Sequence, residues 1–301
     1  MAKRSRPGLL RPASVTSPAR NARAKRRPAY TAPMDPSPPI AFIGGGNMAA
    51  AILGGLRRRG WPPEAFLVVE PHAPQRERLR AELGLAAQEQ ADAALARAAM
   101  VVWAVKPQVF AEAAAPVAPH VGGALQLSIM AGIRSDALVA ATGSARVVRA
   151  MPNTPALIGQ GIAGLYARPE VTEADRARVA EVLAPTGALE WVPQEADLDA
   201  VTALSGSGPA YVFYLIEAMV RAGAAMGLDA AQARRLAKQT FAGAAALSAQ
   251  SGEAPAVLRE RVTSKGGTTY AAITSMQADG VAEAFERALH AARRRAEELG
   301  R

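Results

Sequence analysis

The run Ala41-Phe-Ile-Gly44-Gly45-Gly46-Asn47-Met48-Ala49 decides the fold. Apolar residues of strand type lead into three glycines, and a helix-forming stretch, 48–59, follows at once. The spacing Gly44-x-Gly46-x-x-Ala49 fits a dinucleotide-binding turn. The first glycine permits the tight turn, the second lets backbone approach a pyrophosphate, and small Ala49 lets helix and strand pack closely. The helix N-terminus adds amides and partial positive charge suited to phosphates. Three glycines alone make only a turn; the strand before and the helix after mark Ile43, Gly44, Gly46, Asn47, Met48 and Ala49 as cofactor contacts.

Outward from that turn, short β-rich runs alternate with Ala/Leu-rich stretches. Strands are expected over 40–43, 66–70, 100–105, 125–129, 146–150 and 189–192, and helices over 48–59, 75–83 and 172–183, the last opened by Thr172 with Asp175 three residues on. This is the pattern of a parallel α/β sheet, so residues 39–194 are read as a Rossmann-like NAD(P)-binding domain. After Gln194 the strand signal stops. Helices are expected over 195–204, 210–226, 230–249, 255–262, 268–277 and 281–299, giving an all-α domain over 195–301. Its segments are apolar on more than one face, as in Tyr211-Val-Phe-Tyr-Leu-Ile216, which implies pairing with a second subunit. No repeat of solenoid period occurs.

The remaining motifs fall at strand ends and helix starts. Glu70, 24 positions after Gly46, stands where an acidic residue takes the adenosine ribose hydroxyls and favours NADH; Arg76 or Arg78 could instead meet the 2′-phosphate of NADPH. Ala104-Val105-Lys106-Pro107 and Ala131-Gly132 end two strands and border the ligand crevice of such a sheet, on the nicotinamide side. Asn153, within Met151-Pro-Asn-Thr-Pro155, offers an amide for a carboxamide or ribose and serves equally to cap a turn. In Leu204-Ser-Gly-Ser-Gly-Pro-Ala-Tyr211, one helix breaks and another starts, with Ser207 as a candidate N-cap. Thr263-Ser-Lys-Gly-Gly-Thr-Thr269 precedes another helix, and its glycines, amides and hydroxyls form a receptor for a carboxylate.

Composition removes other classes of function. The chain has 301 residues and no cysteine, so disulfides and thiol nucleophiles are excluded; its three histidines, His72, His120 and His290, are far apart, and no metal is expected. No apolar run reaches the ~20 residues of a membrane span, and a cytoplasmic enzyme is expected. The net charge of +9 is local. Nine of the 35 cations, from Lys3 to Arg27, precede the first acid, Asp35, and the 26 left equal the 26 anions. Residues 1–38 are read as a disordered basic tail, with a later start at Met34, a transit-like segment and a nucleic-acid arm as the competing readings.

The glycine turn 44–49, the Ala104-Val-Lys-Pro107 strand end, Met151–Pro155, Leu204–Tyr211 and Thr263–Thr269 together resemble the pyrroline-5-carboxylate reductase family, in order and in spacing, from Pro39 onward. Many members carry proline where Lys265 stands. The resemblance implies a Rossmann domain followed by a helical domain that interlocks with a second subunit, with dimers often assembling into a decamer. It implies an active site between the NADPH- or NADH-binding domain and the paired helical domains, with 1-pyrroline-5-carboxylate as substrate. Thr269 matches the threonine that hydrogen-bonds the ring nitrogen, and Ser264, Gly267 and Thr268 match the region that holds the carboxylate. A 3-hydroxyacid dehydrogenase would instead carry a lysine on its long helix, and 211–226 has none. A dinucleotide sensor or nucleic-acid binder is disfavoured by the neutral body of the chain.

Overall fold

A computed structural model describes residues 38–300; the expected basic tail therefore lies, but for Pro38, outside the described residues. Eight strands form one sheet: β1 (Ile40–Ile43), β2 (Phe66–Val69), β3 (Ala87–Gln88), β4 (Met100–Trp103), β5 (Leu125–Ser128), β6 (Val147–Met151), β7 (Gly161–Ala167) and β8 (Gly187–Trp191). Their order is β3-β2-β1-β4-β5-β6-β7-β8, and all neighbours run parallel except β6 and β7. The first six strands follow the 3-2-1-4-5-6 order of a dinucleotide-binding sheet.

Side-chain alternation divides the core. Ile40, Phe42, Val68 and Val102 face one side and pack against Ile52, Leu53 and Leu56 of α1 (Asn47–Arg58), Leu79 of α2 (Ala73–Leu83) and Val179 and Val182 of α6 (Glu173–Leu183). Ala41, Ile43, Val101 and Trp103 face the other, against Phe110 of α3 (Phe110–Ala114), Val121 of α4 (Ala118–Val121) and Leu138 of α5 (Ser135–Thr142). Both faces are covered, which is why the central strands are apolar throughout rather than alternating with polar residues. Among the buried polar exceptions, which include Ser128 and Arg149, Gln126 on β5 accepts from Trp103 Nε1 at 2.8 Å and donates to the Val121 and Ala124 carbonyls, both at 3.0 Å.

The helical half contains α7 (Asp197–Val201), α8 (Gly208–Ala225), α9 (Ala230–Ser251), α10 (Pro255–Arg261), α11 (Thr268–Ala278) and α12 (Val281–Leu299). Several expectations need correction. β3, β7 and the short helices α3–α5 were not expected, and β7 makes the sheet mixed rather than all parallel. The expected helix junction at 204–209 is present, in an unexpected form: Thr202–Gly206 is one widened π-turn, Ser207 N donates to Thr202 O at 2.8 Å, and α8 starts at Gly208 with Pro209 in its first turn. Ser207 holds the N-cap position but makes no side-chain cap. Thr172 and Asp175 do form a reciprocal capping box. Among the described residues, no helix is long and apolar enough to cross a membrane.

Candidate active site

The crevice opens between β1 and β4, where the strand order reverses. Gly44 takes a left-handed φ of +96°, and a Cβ there would stand 2.7 Å from the Ala104 carbonyl oxygen, so only glycine fits. Its amide donates to Val69 O and the Ala104 amide to Ile43 O, both at 2.8 Å, which locks the turn to the strands on either side. Gly46 is the opposite case, because nothing lies within 4 Å of an added Cβ. It precedes α1 without a side-chain cap, and the first helical bond is Ala50 N to Gly46 O at 2.8 Å. The amides of Asn47, Met48 and Ala49 thus lack intrahelical partners, next to the space left open at Gly46, an arrangement that fits a dinucleotide pyrophosphate.

Beside this turn a cavity of about 460 Å³ is walled by Ile43, Gly44, Val69, Pro71 and Val105, with Glu89 and Glu112 also lining it. Glu70, only 9% exposed, follows β2 directly. Its two oxygens accept from the amides of Gly45 at 2.7 Å and His72 at 2.8 Å. The carboxylate ties the glycine turn to the β2–α2 connection, a role its spacing did not announce. Arg76 donates to the carbonyls of Glu70 and Pro71 at 3.0 and 2.6 Å and pairs with Glu89 at 3.1 Å. Arg78 donates to Asn47 Oδ1 at 3.0 Å and pairs with Glu82 at 3.1 Å.

Ala104 and Val105 are half-buried just past β4, Lys106 is exposed, and Pro107 opens a single turn. Ala131 and Gly132 lie half-buried in the loop between β5 and α5. Asn153 is buried with both ends of its amide engaged: Nδ2 donates to Ser205 O at 3.2 Å, and Oδ1 accepts from Ile162 N at 3.0 Å. It stitches the β6 end to the π-turn.

The second cluster sits at the start of α11. Gly267 N donates to Ser264 O at 3.0 Å, Gly267 precedes the helix without a side-chain cap, and the first helical bond is Ala271 N to Gly267 O at 3.1 Å. The amides of Thr268, Thr269 and Tyr270 are left open to an anion. Ser264 and Thr268 are exposed and Thr269 is half-buried. Within one chain, no hydrogen bond among the described residues joins 263–269 to 44–49, 104–107 or 131–132. The cavity beside Thr263, Lys265 and Tyr270 shares no lining residue with the one beside Gly44. Among the described residues, no group of three or more His, Asp or Glu is placed to hold a metal ion.

Sequence reasoning missed the polar junction between the halves. Glu195, placed by the sequence in a helix, precedes α7, and its carboxylate accepts from Ser135 N and Oγ, both at 2.7 Å, and pairs with Arg149 at 2.8 Å. It caps α5 from the other half of the chain. Burial works to raise the Glu195 carboxyl, but the Ser135 hydrogen bonds and the Arg149 guanidinium outweigh it and hold the group below the ordinary carboxylate range. Burial pulls Arg149 below its usual value, against the opposing pull of Glu195. The one available signal was an Arg149 too deep in an apolar strand to lack a partner.

Comparison with known proteins bears on both halves of the described chain. Residues 195–299 match the family described as "Pyrroline-5-carboxylate reductase dimerisation", and residues 39–132 match "NADP oxidoreductase coenzyme F420-dependent". A pyrroline-5-carboxylate reductase of Pseudomonas aeruginosa is 46% identical over 265 residues, covering 87% of this chain and 97% of that protein. One from Haemophilus influenzae is 42% identical over 263 residues, covering 86% and 97%. The solved structure of a pyrroline-5-carboxylate reductase from Coxiella burnetii superposes with a TM-score of 0.81 at 33% identity, covering 89% of this chain and all of that one. A Plasmodium falciparum pyrroline carboxylate reductase, solved with NADP bound, gives 0.77 at 26% identity, covering 87% and 98%. A Rossmann half with an open helix start, joined to a helical dimerisation half, and identity of this extent show that the chain belongs to the pyrroline-5-carboxylate reductase family of NAD(P)-dependent oxidoreductases.

Proposed function

We propose that the chain reduces the C=N bond of 1-pyrroline-5-carboxylate to give L-proline, with the division of labour falling at about residue 195 between a dinucleotide half and a helical half. The observation that carries this reading is a pair of uncapped helix starts. One, behind Gly46, is open to a pyrophosphate; the other, behind Gly267, is open to a carboxylate. When bound, NAD(P)H supplies the hydride. The protein's own work is to place and hold the imine. Ser264, Gly267 and Thr268 receive its carboxylate, and the Thr269 hydroxyl hydrogen-bonds its ring nitrogen. Hydride addition at the iminium carbon, whose nitrogen already carries the proton, yields the secondary amine with no atom left over. Holding the reacting atoms near contact supplies much of the rate. Ile43, Gly44, Gly46, Asn47, Met48 and Ala49 hold the dinucleotide phosphates and nearby ribose, while Ala104, Val105, Lys106, Pro107, Ala131, Gly132 and Asn153 border its nicotinamide end.

Between the two donors, the geometry favours NADH. Glu70 is a fixed carboxylate, Glu89 and Glu112 line the neighbouring cavity, and Arg76 and Arg78 are both already paired. A 2′-phosphate would approach several carboxylates and meet Arg76 and Arg78 already engaged, whereas a ribose diol finds acceptors. The reading further takes the enzyme to be cytoplasmic, with dimers assembling to a decamer.

Spectrophotometric oxidation of NADH and of NADPH with pyrroline-5-carboxylate, against a 3-hydroxyacid and its semialdehyde, tests the reading. Turnover of the imine with a lower KM for NADH is expected. Turnover only of the hydroxyacid pair overturns the reaction, and a lower KM for NADPH overturns the donor.

A further inference from the structure

We infer that Arg134 is a positioning residue that holds the loop between β5 and α5 in the shape needed for hydride transfer by clamping it to the last turn of α12. The inference rests on the reading above for what that loop borders. Ile129 N donates to Trp103 O at 3.1 Å and Met130 N to Ser128 Oγ at 3.2 Å, but beyond Met130 the loop is shaped from outside. Gly132 has a φ of +76°, and a Cβ there would stand 2.8 Å from the Leu299 carbonyl oxygen. Two residues on, Arg134 pairs with buried Asp199 of α7 at 2.8 Å and reaches the Gly300 carbonyl at 3.4 Å. Gly300 is itself pressed on the guanidinium, because a Cβ there would lie 2.8 Å from Arg134 Nε. Ser135 then takes the Glu195 carboxylate.

Residues 132, 134 and 135 therefore grip three separate pieces of the helical half. The centre of the grip is a forked cation set against the carbonyl end of α12, where positive charge and donors are favourable. α12 packs on α11, whose first turn carries Thr268 and Thr269. Arg134 thus joins the crevice loop to the helix pair that presents the imine turn. No hydrogen bond among the described residues joins the pyrophosphate turn at α1 to this clamp, so loosening the clamp is expected to affect rate more than cofactor binding. A misplacement of about 1 Å at reacting atoms can cost about 100-fold.

The test compares wild type, Arg134→Ala, Arg134→Lys and Gly300→Ala by steady-state turnover of pyrroline-5-carboxylate, NAD(P)H fluorescence titration and hydrogen exchange over 129–135. Expected for Arg134→Ala is a kcat lower by about 10- to 100-fold, a dinucleotide Kd nearly unchanged, and faster exchange in that loop. Arg134→Lys, which keeps the charge for Asp199 but loses the fork, falls between. Gly300→Ala displaces the guanidinium without removing it and shows the same pattern in weaker form. Wild-type kcat in Arg134→Ala overturns the inference, as does a kcat loss matched by an equal loss of dinucleotide affinity, or unchanged loop exchange. Should Arg134→Ala not fold, Gly300→Ala decides by the same criteria. Should the wild type not turn over the imine, the functional reading fails, and exchange over 129–135 still decides whether the clamp exists.

Discussion

The two halves of the chain are built from similar proportions of apolar sequence but bury it differently. In the sheet half, Phe42, Trp103, Leu53 and Leu127 are fully enclosed, and both faces of the sheet are covered by the chain's own helices. In the helical half, the buried residues of α8, α9 and α12 are small: Gly223, Ala233, Ala237 and Ala296. The large side chains face outward, with Phe213 59%, Tyr214 67% and Met226 77% exposed. One half closes its core alone; the other leaves its core to be completed by a second copy, as its dimerisation family describes.

Placing charge on that outer face is the strongest way to break the comparison. A Phe213→Glu, Tyr214→Glu double variant should dissociate into monomers, at a cost of about 4 kcal/mol or more for burying unpaired carboxylates. Light scattering reads the mass, and hydrogen exchange should show 195–300 unprotected while the sheet half keeps its protection. A double variant that stays dimeric with an unchanged Tm would remove the face from the interface.

Gly44→Val acts on the closed half. A β-branched residue at φ +96°, with its Cβ driven onto the Ala104 carbonyl, should destabilise the protein by about 2–4 kcal/mol and abolish dinucleotide binding without altering oligomer mass. Thr269→Ala acts on the open half and should do the reverse. Turnover is expected to fall about 100-fold while fluorescence titration finds the dinucleotide Kd nearly intact; wild-type turnover in this variant removes Thr269 from the reaction.

The smallest effect is expected at the junction. Glu195→Gln keeps the shape but weakens the cap on Ser135 and the pair with Arg149, costing about 1–2 kcal/mol. Its pH signature sharpens the comparison. The folded values of Glu195 and Asp175 both lie below those of the unfolded chain; for Asp175, burial is overcome by Arg146 and by the amide and hydroxyl of Thr172. The unfolded chain then binds more protons in acid. The stabilisation is present above the ordinary carboxylate value, about 4, and is lost as pH falls through the lower folded values. Thermal melts from pH 6 to pH 3 should fall less steeply for Glu195→Gln than for wild type; parallel curves would show that Glu195 does not carry this linkage.

What the sequence made legible follows from where local chemistry and final contacts coincide. The glycine turn, the Thr172 capping box and the central strands were readable because each is fixed by residues close in sequence or by an unbroken apolar run. Strand β7 was not. Its Gly161-Ile-Ala-Gly164 start is weakly strand-forming, and it is held by pairing with β6 and β8. The four-residue α4 and five-residue α3 are too short to show a period. Glu70 and Asn153 were placed correctly at their strand ends, but their hydrogen bonds run to Gly45, His72, Ile162 and Ser205, partners that only the folded chain reveals. The junction residues Arg134, Asp199 and Glu195 left no local pattern at all, since each acts across 46 to 166 positions.

The π-turn at Thr202–Gly206 has a consequence for helical phase. A wide turn holds one residue more than α-helical winding allows, and each residue advances an α-helix by about 100°. Deleting one residue from 202–206 would tighten this turn to α-helical winding and rotate everything downstream by about that angle relative to the sheet, with Pro209 still opening α8. Phe213 and Tyr214 would then swing away from the direction in which a twin chain must arrive. That single surplus residue acts as the protractor of the assembly, converting the fixed seat of α7 on the sheet into the bearing along which two subunits find each other.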